Sequence, residues 1–193
     1  MEYEIISKYD MKTSCHFRKS KDPFGEFSNM TIGFPVEING ATFSTTESLF
    51  QATRFPDNQE YQKEILKQRS PMAAKMISKK YKKDTRSGWY EHRIEIMNWC
   101  LRIKLAQNFK KFGDLLRSTG SKPLVELSYR DDYWGAKPQE NGTLSGYNVL
   151  GKLLMNLRED LINNDPETMK KVMPPEIENF KILGSIVQTI DMN

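Results

Sequence analysis

Glu47 is the first residue whose type and position could do chemistry. It stands in the first turn of a predicted helix that follows a hairpin signal, within the sequence Ser44-Thr-Thr-Glu47. A carboxylate held in a cleft can activate water or offset the positive charge that develops on a sugar carbon C1. The same spacing fits a capping box, in which Ser44 accepts a hydrogen bond from the helix and Glu47 reaches back to the Ser44 N–H. Spacing alone favours the cap.

Aromatic and acidic side chains come together in Asp131-Asp132-Tyr133-Trp134-Gly135. The Trp134 indole offers a flat face for a base or another ring, and the Asp132 carboxylate can bind at the edge of such a ring. An equally good interpretation is that Trp134 closes the core while the acid pair begins a turn. Trp89 invites the same two interpretations, whereas Trp99, between apolar helix positions, is predicted to lie in the core.

A glycine-containing loop runs into a predicted helix over residues 142–151, which include Asn148 and Gly151. Free backbone N–H groups and the positive end of a helix dipole suit such a junction to a phosphate or pyrophosphate. Junctions of this kind are common, so the signal has low specificity. Combined with the carboxylate and the tryptophans, it suggests a ligand that contains a ring, a sugar and phosphate.

Several other chemistries lack their residues. The two cysteines, Cys15 and Cys100, and the two histidines, His16 and His92, stand at wide spacing, which predicts neither a disulfide framework nor a structural zinc site. The sequence contains no dinucleotide-binding glycine fingerprint and no Walker loop. We therefore expect neither a metal nor a cofactor.

The elements that must position these residues are predicted from turn and capping signals. Asn39-Gly40 between β-prone residues predicts a hairpin with a type I′ turn, and Ser70-Pro71 predicts a helix start. Helices are predicted over about residues 45–55, 58–68, 72–80, 88–109 and 147–161. The remaining predictions are a continuation through Leu115-Leu116 into a short turn stopped by Gly120, a strand over 124–128, a long loop over 129–146 and a tail docked as one strand or helix.

Length and composition are typical of one domain with a small appendage. The chain has 193 residues, 38% of them hydrophobic and 11% aromatic, which is enough to build a core without disulfides or metal. No apolar run is long enough to span a bilayer, and the start of the sequence lacks a basic-then-apolar leader. We expect a soluble, cytoplasmic protein with no membrane partner.

The charge is unevenly distributed along the chain. Residues 61–111 hold 14 lysines and arginines against four acids, although the whole chain carries only +4. The densest cluster surrounds Tyr81 and comprises Lys79, Lys80, Lys82 and Lys83. Such a block is usually a set of solvated helix faces, and the alternative is a surface for nucleotide phosphates or a nucleic-acid backbone.

A series of short segments, taken in order, carries a family resemblance. The segments are FGEFSN at 24–29, TTE at 45–47, FQA at 50–52 with Phe55, SPMAA at 70–74, Trp89, LVE at 124–126, YWG at 133–135 and NVLGKLLMNLR at 148–158. Their order and spacing resemble the NADAR family, also called YbiA-like, over about residues 17–162. The resemblance implies a compact, mainly helical α+β domain with a small antiparallel hairpin or sheet. We place this domain at residues 1–164, with a C-terminal extension over 165–193 packed on it.

The resemblance also implies an enzyme that cleaves an N-glycosidic bond at a ribose C1. The family's motif glutamate falls on Glu47, and its ring-stacking tryptophans fall on Trp89 and Trp134; these three form the predicted catalytic set. Because capping and catalysis can coexist, the resemblance favours a functional role for Glu47. The family's helix-entry residues fall on Asn148 and Gly151, which are predicted to bind substrate.

Arg54 departs from the family pattern, which usually has lysine at this position. Arginine stays protonated and cannot form a Schiff base, so a direct hydrolysis through an oxocarbenium-like transition state is the favoured mechanism. Arg54 is instead predicted to bind phosphate. Asn29 and Asp132 complete the predicted substrate-binding residues.

Three functions remain open at this point. The resemblance covers proteins that remove ADP-ribose from guanine in nucleic acid and proteins that act on phosphorylated intermediates of riboflavin biosynthesis. The basic block favours the first, with ADP-ribosylated nucleic acid as partner, over a phosphorylated small-molecule substrate. A non-catalytic module that binds ADP-ribose or NAD is the third, in which Arg54 marks lost chemistry.

Overall fold

The computed structural model describes residues 2–192. Two compact units account for them: the first comprises residues 2–28 and 113–164, and the second comprises residues 29–112 and 165–192. The mixed, mainly helical α+β content that was predicted is confirmed. No helix within residues 2–192 is both long enough and apolar enough to cross a membrane.

The helices of the described residues are α1 (Thr46–Ala52), α2 (Gln59–Leu66), α3 (Pro71–Lys80), α4 (Trp89–Gln107), α5 (Phe109–Ser118), α6 (Val149–Asn163) and α7 (Pro166–Met169). The strands are β1 (Ser7–Asp10), β2 (Cys15–Phe17), β3 (Val36–Ile38), β4 (Ala41–Phe43), β5 (Leu124–Glu126), β6 (Lys137–Pro138), β7 (Thr143–Gly146), β8 (Lys171–Val172), β9 (Lys181–Ile182), β10 (Ser185–Ile186) and β11 (Ile190–Asp191). Short 3₁₀ turns lie at Glu2–Glu4, Gly25–Phe27 and Lys82–Asp84.

The second unit begins with the predicted hairpin. β3 and β4 pair antiparallel, and the two turn residues, Asn39 and Gly40, have positive φ angles of 51° and 74°. This confirms the type I′ prediction, because both central residues of that turn need positive φ. Ile38 and Phe43 point inward from the hairpin and have no exposed surface.

The helices α1, α2, α3 and α4 pack together in the second unit. Ser70 caps α3 through the Ala73 N–H, as predicted, and the αL residue Gly88 precedes α4. The inward face of α4 is fully buried at positions such as Leu101 and Leu105. Trp99 is 3% exposed, which confirms its predicted place in the core.

The C-terminal tail differs from the single docked element that was predicted. It forms four short strands, with β8 paired to β11 and β9 paired to β10. Gln62 of α2 holds this tail with its side-chain amide, which donates to the Lys181 carbonyl and accepts from the Leu183 N–H. The Phe180 ring lies edge-on to Trp99, with 5.0 Å between centroids. Bonds to side chains, which sequence patterns do not show, therefore organise the tail.

The first unit contains a three-stranded antiparallel sheet in the order β1-β7-β6 and a parallel pair of β2 with β5. The predicted loop over 129–146 is therefore wrong in part, since it contains β6 and β7. A tight turn at Gly142, with φ of 78°, returns the chain so that these strands can pair. Leu115 and Leu116 lie in α5, on which Phe112 and Leu116 are fully buried one turn apart, and the predicted turn at Gly120 follows the helix with a φ of 56°.

Both cysteines are free and buried. Cys15 lies in β2 of the first unit and Cys100 in α4 of the second. Burial raises the pKa of both thiols, and the pKa of Cys100 lies well above its ordinary value, with the negative charge of Glu47 adding to the effect of burial.

Candidate active site

The start of α1 sets the position of Glu47. The helix is capped by Thr45, whose Oγ1 accepts from the Ser48 N–H at 3.2 Å. The predicted capping box is therefore wrong, because the cap lies one residue later than Ser44 and Ser48 occupies the third helical position. The Glu47 N–H donates instead to the Asn29 carbonyl at 3.0 Å. The Glu47 carboxylate therefore does not cap the helix.

A short chain of polar contacts fixes that carboxylate, whose side chain is only 8% exposed. The Gln51 amide, one helical turn further, donates to Glu47 Oε1 at 2.9 Å. Arg54 in turn donates from Nη1 to Gln51 Oε1 at 3.3 Å. Lys75 of α3 approaches the same Glu47 oxygen, with its Nζ at 3.6 Å. The same Glu47 oxygen thus lies close to both the Gln51 amide and the Lys75 ammonium group.

Two of these residues carried no predicted role. Gln51 belongs to the FQA segment, and its spacing of four from Glu47 on a helix was a usable signal. Lys75 reaches Glu47 from another helix, so no local pattern marks it. Its side chain is 55% exposed, which places the amine at the boundary between solvent and the buried carboxylate.

Arg54 is held between an aromatic ring and polar groups. Its guanidinium carbon lies 4.8 Å from the centre of the Trp89 ring, and Nη2 donates to Thr85 Oγ1 at 3.3 Å. Burial lowers the pKa of the guanidinium, while Tyr90 and Glu47 act in the opposite direction. Its Nε is buried without a hydrogen-bond partner among residues 2–192. A guanidinium with an unused donor is suited to an anionic group.

Trp89 and Asn29 are both buried in the second unit, at 6% and 4% exposure. Trp89 begins α4, and its ring lies 5.0 Å from that of Phe50, so the contacts seen for it are with Phe50 and Arg54. Asn29 donates from Nδ2 to Met97 Sδ at 3.0 Å, and its Oδ1 is buried without a partner among the described residues. That oxygen is available to accept a hydrogen bond from a ligand hydroxyl.

Trp134 and Asp132 lie in the first unit. Asp131 Oδ1 accepts from the N–H groups of both Tyr133 and Trp134 at 3.0 Å, so an acid of this pair does begin a turn. The Trp134 indole is partly exposed. Asp132 is exposed and pairs with Lys137 at 2.8 Å, and the hydrogen bond from that lysine lowers the pKa of the Asp132 carboxyl.

Asn148 and Gly151 have a packing role at the start of α6. The Asn148 side chain is fully buried and bonds the backbone of β5 twice, accepting from the Glu126 N–H at 3.0 Å and donating to the Leu124 carbonyl at 2.9 Å. A Cβ on Gly151 would lie 2.1 Å from that Leu124 carbonyl oxygen, so glycine allows the close approach.

The first two backbone donors of α6 are also occupied. The Val149 and Leu150 N–H groups donate to the carbonyls of Tyr133 and Trp134. These two N–H groups were predicted to bind a phosphate. They hold the 133–134 turn instead. This corrects the sequence-based expectation, which counted them as free.

Comparison with known proteins decides the family. The model of the NADAR domain matches residues 16–162. This chain is a member of the NADAR family. The predicted resemblance is therefore confirmed, and the match includes Glu47, Arg54, Trp89 and Trp134.

Related NADAR proteins share sequence and fold with this chain. The N-glycosidase YbiA of Escherichia coli strain K12 is 36% identical over 149 residues, which cover 77% of this chain and 89% of the relative. A riboflavin biosynthesis protein of Vibrio vulnificus is 30% identical over 191 residues, covering 95% of this chain and 49% of the relative. The NMR structure of Escherichia coli YbiA matches with a TM-score of 0.66 and 35% identity, over 78% of this chain and 85% of that one.

Proposed function

We propose that this NADAR protein is an N-glycosidase that hydrolyses the bond between ADP-ribose and guanine in nucleic acid. The observation that carries the proposal is the buried Glu47 carboxylate, held through Gln51 by Arg54 and approached by Lys75. A fixed carboxylate beside cationic groups suits a substrate in which an electron-poor ribose carbon is attached to a pyrophosphate. Relatives named as N-glycosidases support the type of bond.

The reaction follows from the chemistry of the bond. The bond between ribose C1 and the guanine nitrogen breaks with its electron pair on the base, which takes up a proton. The Glu47 carboxylate stabilises the positive charge left on the sugar and accepts a proton from the attacking water, whose oxygen bonds to C1. Glu47 then passes this proton to the guanine nitrogen, which regenerates the carboxylate. The products are guanine restored in the strand and free ADP-ribose.

Other residues of the set bind the substrate in this proposal. Arg54 donates to the pyrophosphate from its unused Nε–H, and the Asn29 Oδ1 accepts from a ribose hydroxyl. Trp134 of the first unit stays a predicted ring-stacking residue. We retain Trp89 as the residue that sets the plane of the Arg54 guanidinium, in keeping with their 4.8 Å contact.

The nucleic-acid substrate is favoured by the lysines of α3 and of the turn after it, which are exposed. A second candidate is cleavage of riboflavin-pathway intermediates, which is favoured by relatives named as riboflavin biosynthesis proteins. A module that binds ADP-ribose without cleaving it is the third. The reducing cytoplasm remains the predicted location, in keeping with two free thiols.

Mass spectrometry of two parallel incubations tests the proposal. The purified protein is mixed with an oligonucleotide that carries ADP-ribosylated guanine and, separately, with a phosphorylated riboflavin-pathway intermediate. We expect free ADP-ribose and restored guanine in the first mixture, and no product with Glu47→Gln. Turnover of the riboflavin-pathway intermediate alone would support the second candidate function in place of the first. Binding of ADP-ribose without turnover of either substrate would identify a non-catalytic module.

A further inference from the structure

The basic block of the sequence divides in the structure into packed and exposed parts. Lys104 is fully buried, with its amine 4.6 Å and 4.2 Å from the ring centres of Phe34 and Phe112. The Lys111 amine lies over Phe34 and donates to the Gly33 carbonyl. Lys104 therefore supports the core, and the exposed Lys111 has its amine engaged by the Gly33 carbonyl, so a polyanion cannot use the whole of residues 61–111.

The exposed part is concentrated on α3 and on the 3₁₀ turn Lys82–Asp84 that follows it. Lys79, Lys82 and Lys83 are all exposed, and their amines make no ion pair or hydrogen bond within the part of the chain that the structure describes. The neighbouring Lys80 differs, since its amine bonds the Tyr81 hydroxyl at 2.7 Å and pairs with Glu64 at 3.7 Å. The amines of these three lysines thus have no direct partner, and the Asp84 carboxylate of the same turn accepts from the Tyr61 hydroxyl instead.

This exposed stretch leads away from the catalytic carboxylate. Lys75 and Lys79 are four residues apart on α3, so their side chains leave the same helix face about 6 Å apart along the axis. Lys75 Nζ lies 3.6 Å from Glu47 Oε1. The lysines therefore form a row that begins at Glu47 and continues through Lys79 to the Lys82–Asp84 turn. We call the surface formed by Lys75, Lys79, Lys82 and Lys83, with the exposed Met72 and Met76 beside them, the α3 track.

Apolar groups are exposed next to the lysine row. Met72 and Met76 are 58% and 57% exposed and lie one turn apart on α3. The Tyr81 ring at the end of the helix is already occupied within the chain, because it stacks on Tyr61 with centroids 3.5 Å apart and the Lys80 amine lies 4.5 Å from its centre. Duplex DNA would need only the charges, whereas unpaired bases also need flat or apolar surfaces on which to lie. The exposed methionines beside the lysines are complementary to the unpaired bases of a single strand.

We propose that the α3 track binds a single strand of nucleic acid, its phosphates on the lysines and its bases along Met72 and Met76, and so leads a modified base to Glu47. This inference depends on the proposed function only for the identity of the modified base. Binding of an unmodified strand does not depend on cleavage. Failure of one can therefore be distinguished from failure of the other.

Binding of an unmodified single-stranded oligonucleotide, followed by fluorescence anisotropy, tests the track. In Lys79→Glu/Lys82→Glu/Lys83→Glu we expect the affinity to fall at least about tenfold, and the slope of log K against log salt to become shallower by about two. The matched control, Lys12→Glu/Lys21→Glu/Lys171→Glu, changes the net charge equally at exposed lysines elsewhere. We expect it to lose less than about threefold in affinity.

The remaining outcomes decide between the inference and its alternatives. Equal losses in both triple variants would show a general effect of charge and overturn the track. So would anisotropy that does not change for wild-type protein, or binding to phosphatidylserine vesicles in place of the oligonucleotide. Thermal unfolding of both variants at the wild-type temperature verifies that they fold. Loss of strand binding in the α3 variant, with no cleavage of ADP-ribosylated guanine by wild type, would support the track and overturn the proposed function.

Discussion

At the scale of single residues, one oxygen atom organises the site. Glu47 Oε1 accepts from the Gln51 amide and lies 3.6 Å from the Lys75 amine, and Arg54 is tied to it through Gln51. The carboxylate therefore has a fixed orientation before substrate arrives, which is what stabilisation of a developing sugar cation requires. Its charge and its position can be tested separately.

Glu47→Gln removes the charge and preserves the shape. The amide oxygen of glutamine can still accept from Gln51, so we expect binding of ADP-ribose and the unfolding temperature to change little. Turnover of ADP-ribosylated oligonucleotide should fall by about 10³-fold, because the general base and the charge partner of C1 are lost together. Single-turnover kinetics measures the fall in turnover, and calorimetric titration measures the binding of ADP-ribose. Loss of stability with unchanged turnover would contradict a chemical role.

Lys75→Met tests the amine beside the carboxylate. We expect turnover to fall about tenfold while the free energy of unfolding changes by less than about 1 kcal/mol, because the Lys75 amine is itself 55% exposed and, at 3.6 Å, makes no hydrogen bond to Glu47. Lys67→Met is the matched control, since this lysine is exposed at the end of α2 and does not contact Glu47. Equal turnover in the two variants would remove Lys75 from the site.

At the scale of elements, the parts that were predictable are those with local signals. The β3–β4 hairpin and the start of α3 followed from Asn39-Gly40 and Ser70-Pro71, whose backbone preferences are strong. The cap of α1 was misplaced, because Ser44 and Thr45 are both suitable caps and contacts beyond the helix choose between them. The strands β6 to β11 are two to four residues long, which is too short for an alternating pattern to stand out, and β7 also pairs with β1 at the other end of its unit's sequence.

The same distinction applies to the site. Glu47 and Arg54 are on or next to one helix, and the family resemblance of that segment, not spacing alone, selected them. Lys75 was missed because a tertiary contact between α1 and α3 creates its role. Asn148 was assigned to substrate because an asparagine before a helix resembles an anion site, yet its amide bonds β5. Local sequence does not reveal which partner a buried amide will choose.

Gly151→Ala is the prediction for the junction of α6 with β5. The added Cβ would meet the Leu124 carbonyl oxygen at 2.1 Å and the Asn148 amide at 2.4 Å, and backbone cannot yield cheaply. We expect a loss of about 2–3 kcal/mol in the free energy of unfolding, measured by urea denaturation. Gly120→Ala provides the comparison, because its Cβ meets nothing within 4 Å and only the positive φ of 56° is strained. A smaller loss for Gly151→Ala than for Gly120→Ala would contradict the close approach.

At the scale of the whole molecule, the chain is organised as two compact units that do not follow its order. The first unit takes both an N-terminal and a later segment, and the second takes the middle and the C-terminal tail. Of the predicted catalytic set, Glu47 and Trp89 belong to the second unit and Trp134 to the first. Hydrophobic periodicity describes single elements and carries no information on such a division.

The thiols provide a prediction at this scale. Cys15 and Cys100 are 2% and 0% exposed, and burial raises the pKa of both, so the native protein offers little reactive thiolate. We expect less than about 0.1 thiol per chain to react with Ellman's reagent at pH 8 within minutes, and two after denaturation. A rapidly reacting thiol in the native protein would contradict the burial of its strand or helix.

Because each unit contains one of these buried thiols, the rate at which each thiol is labelled reports how often its unit opens locally. Alkylation of Cys15 requires β2 to open, and alkylation of Cys100 requires α4 to open. Peptide mapping of slowly labelled protein would give two rates, each set by the free energy of the local opening. Equal rates would mean that the units unfold as one cooperative body, and unequal rates would rank them without any introduced probe. ADP-ribose added to the same experiment would report which unit its binding stabilises.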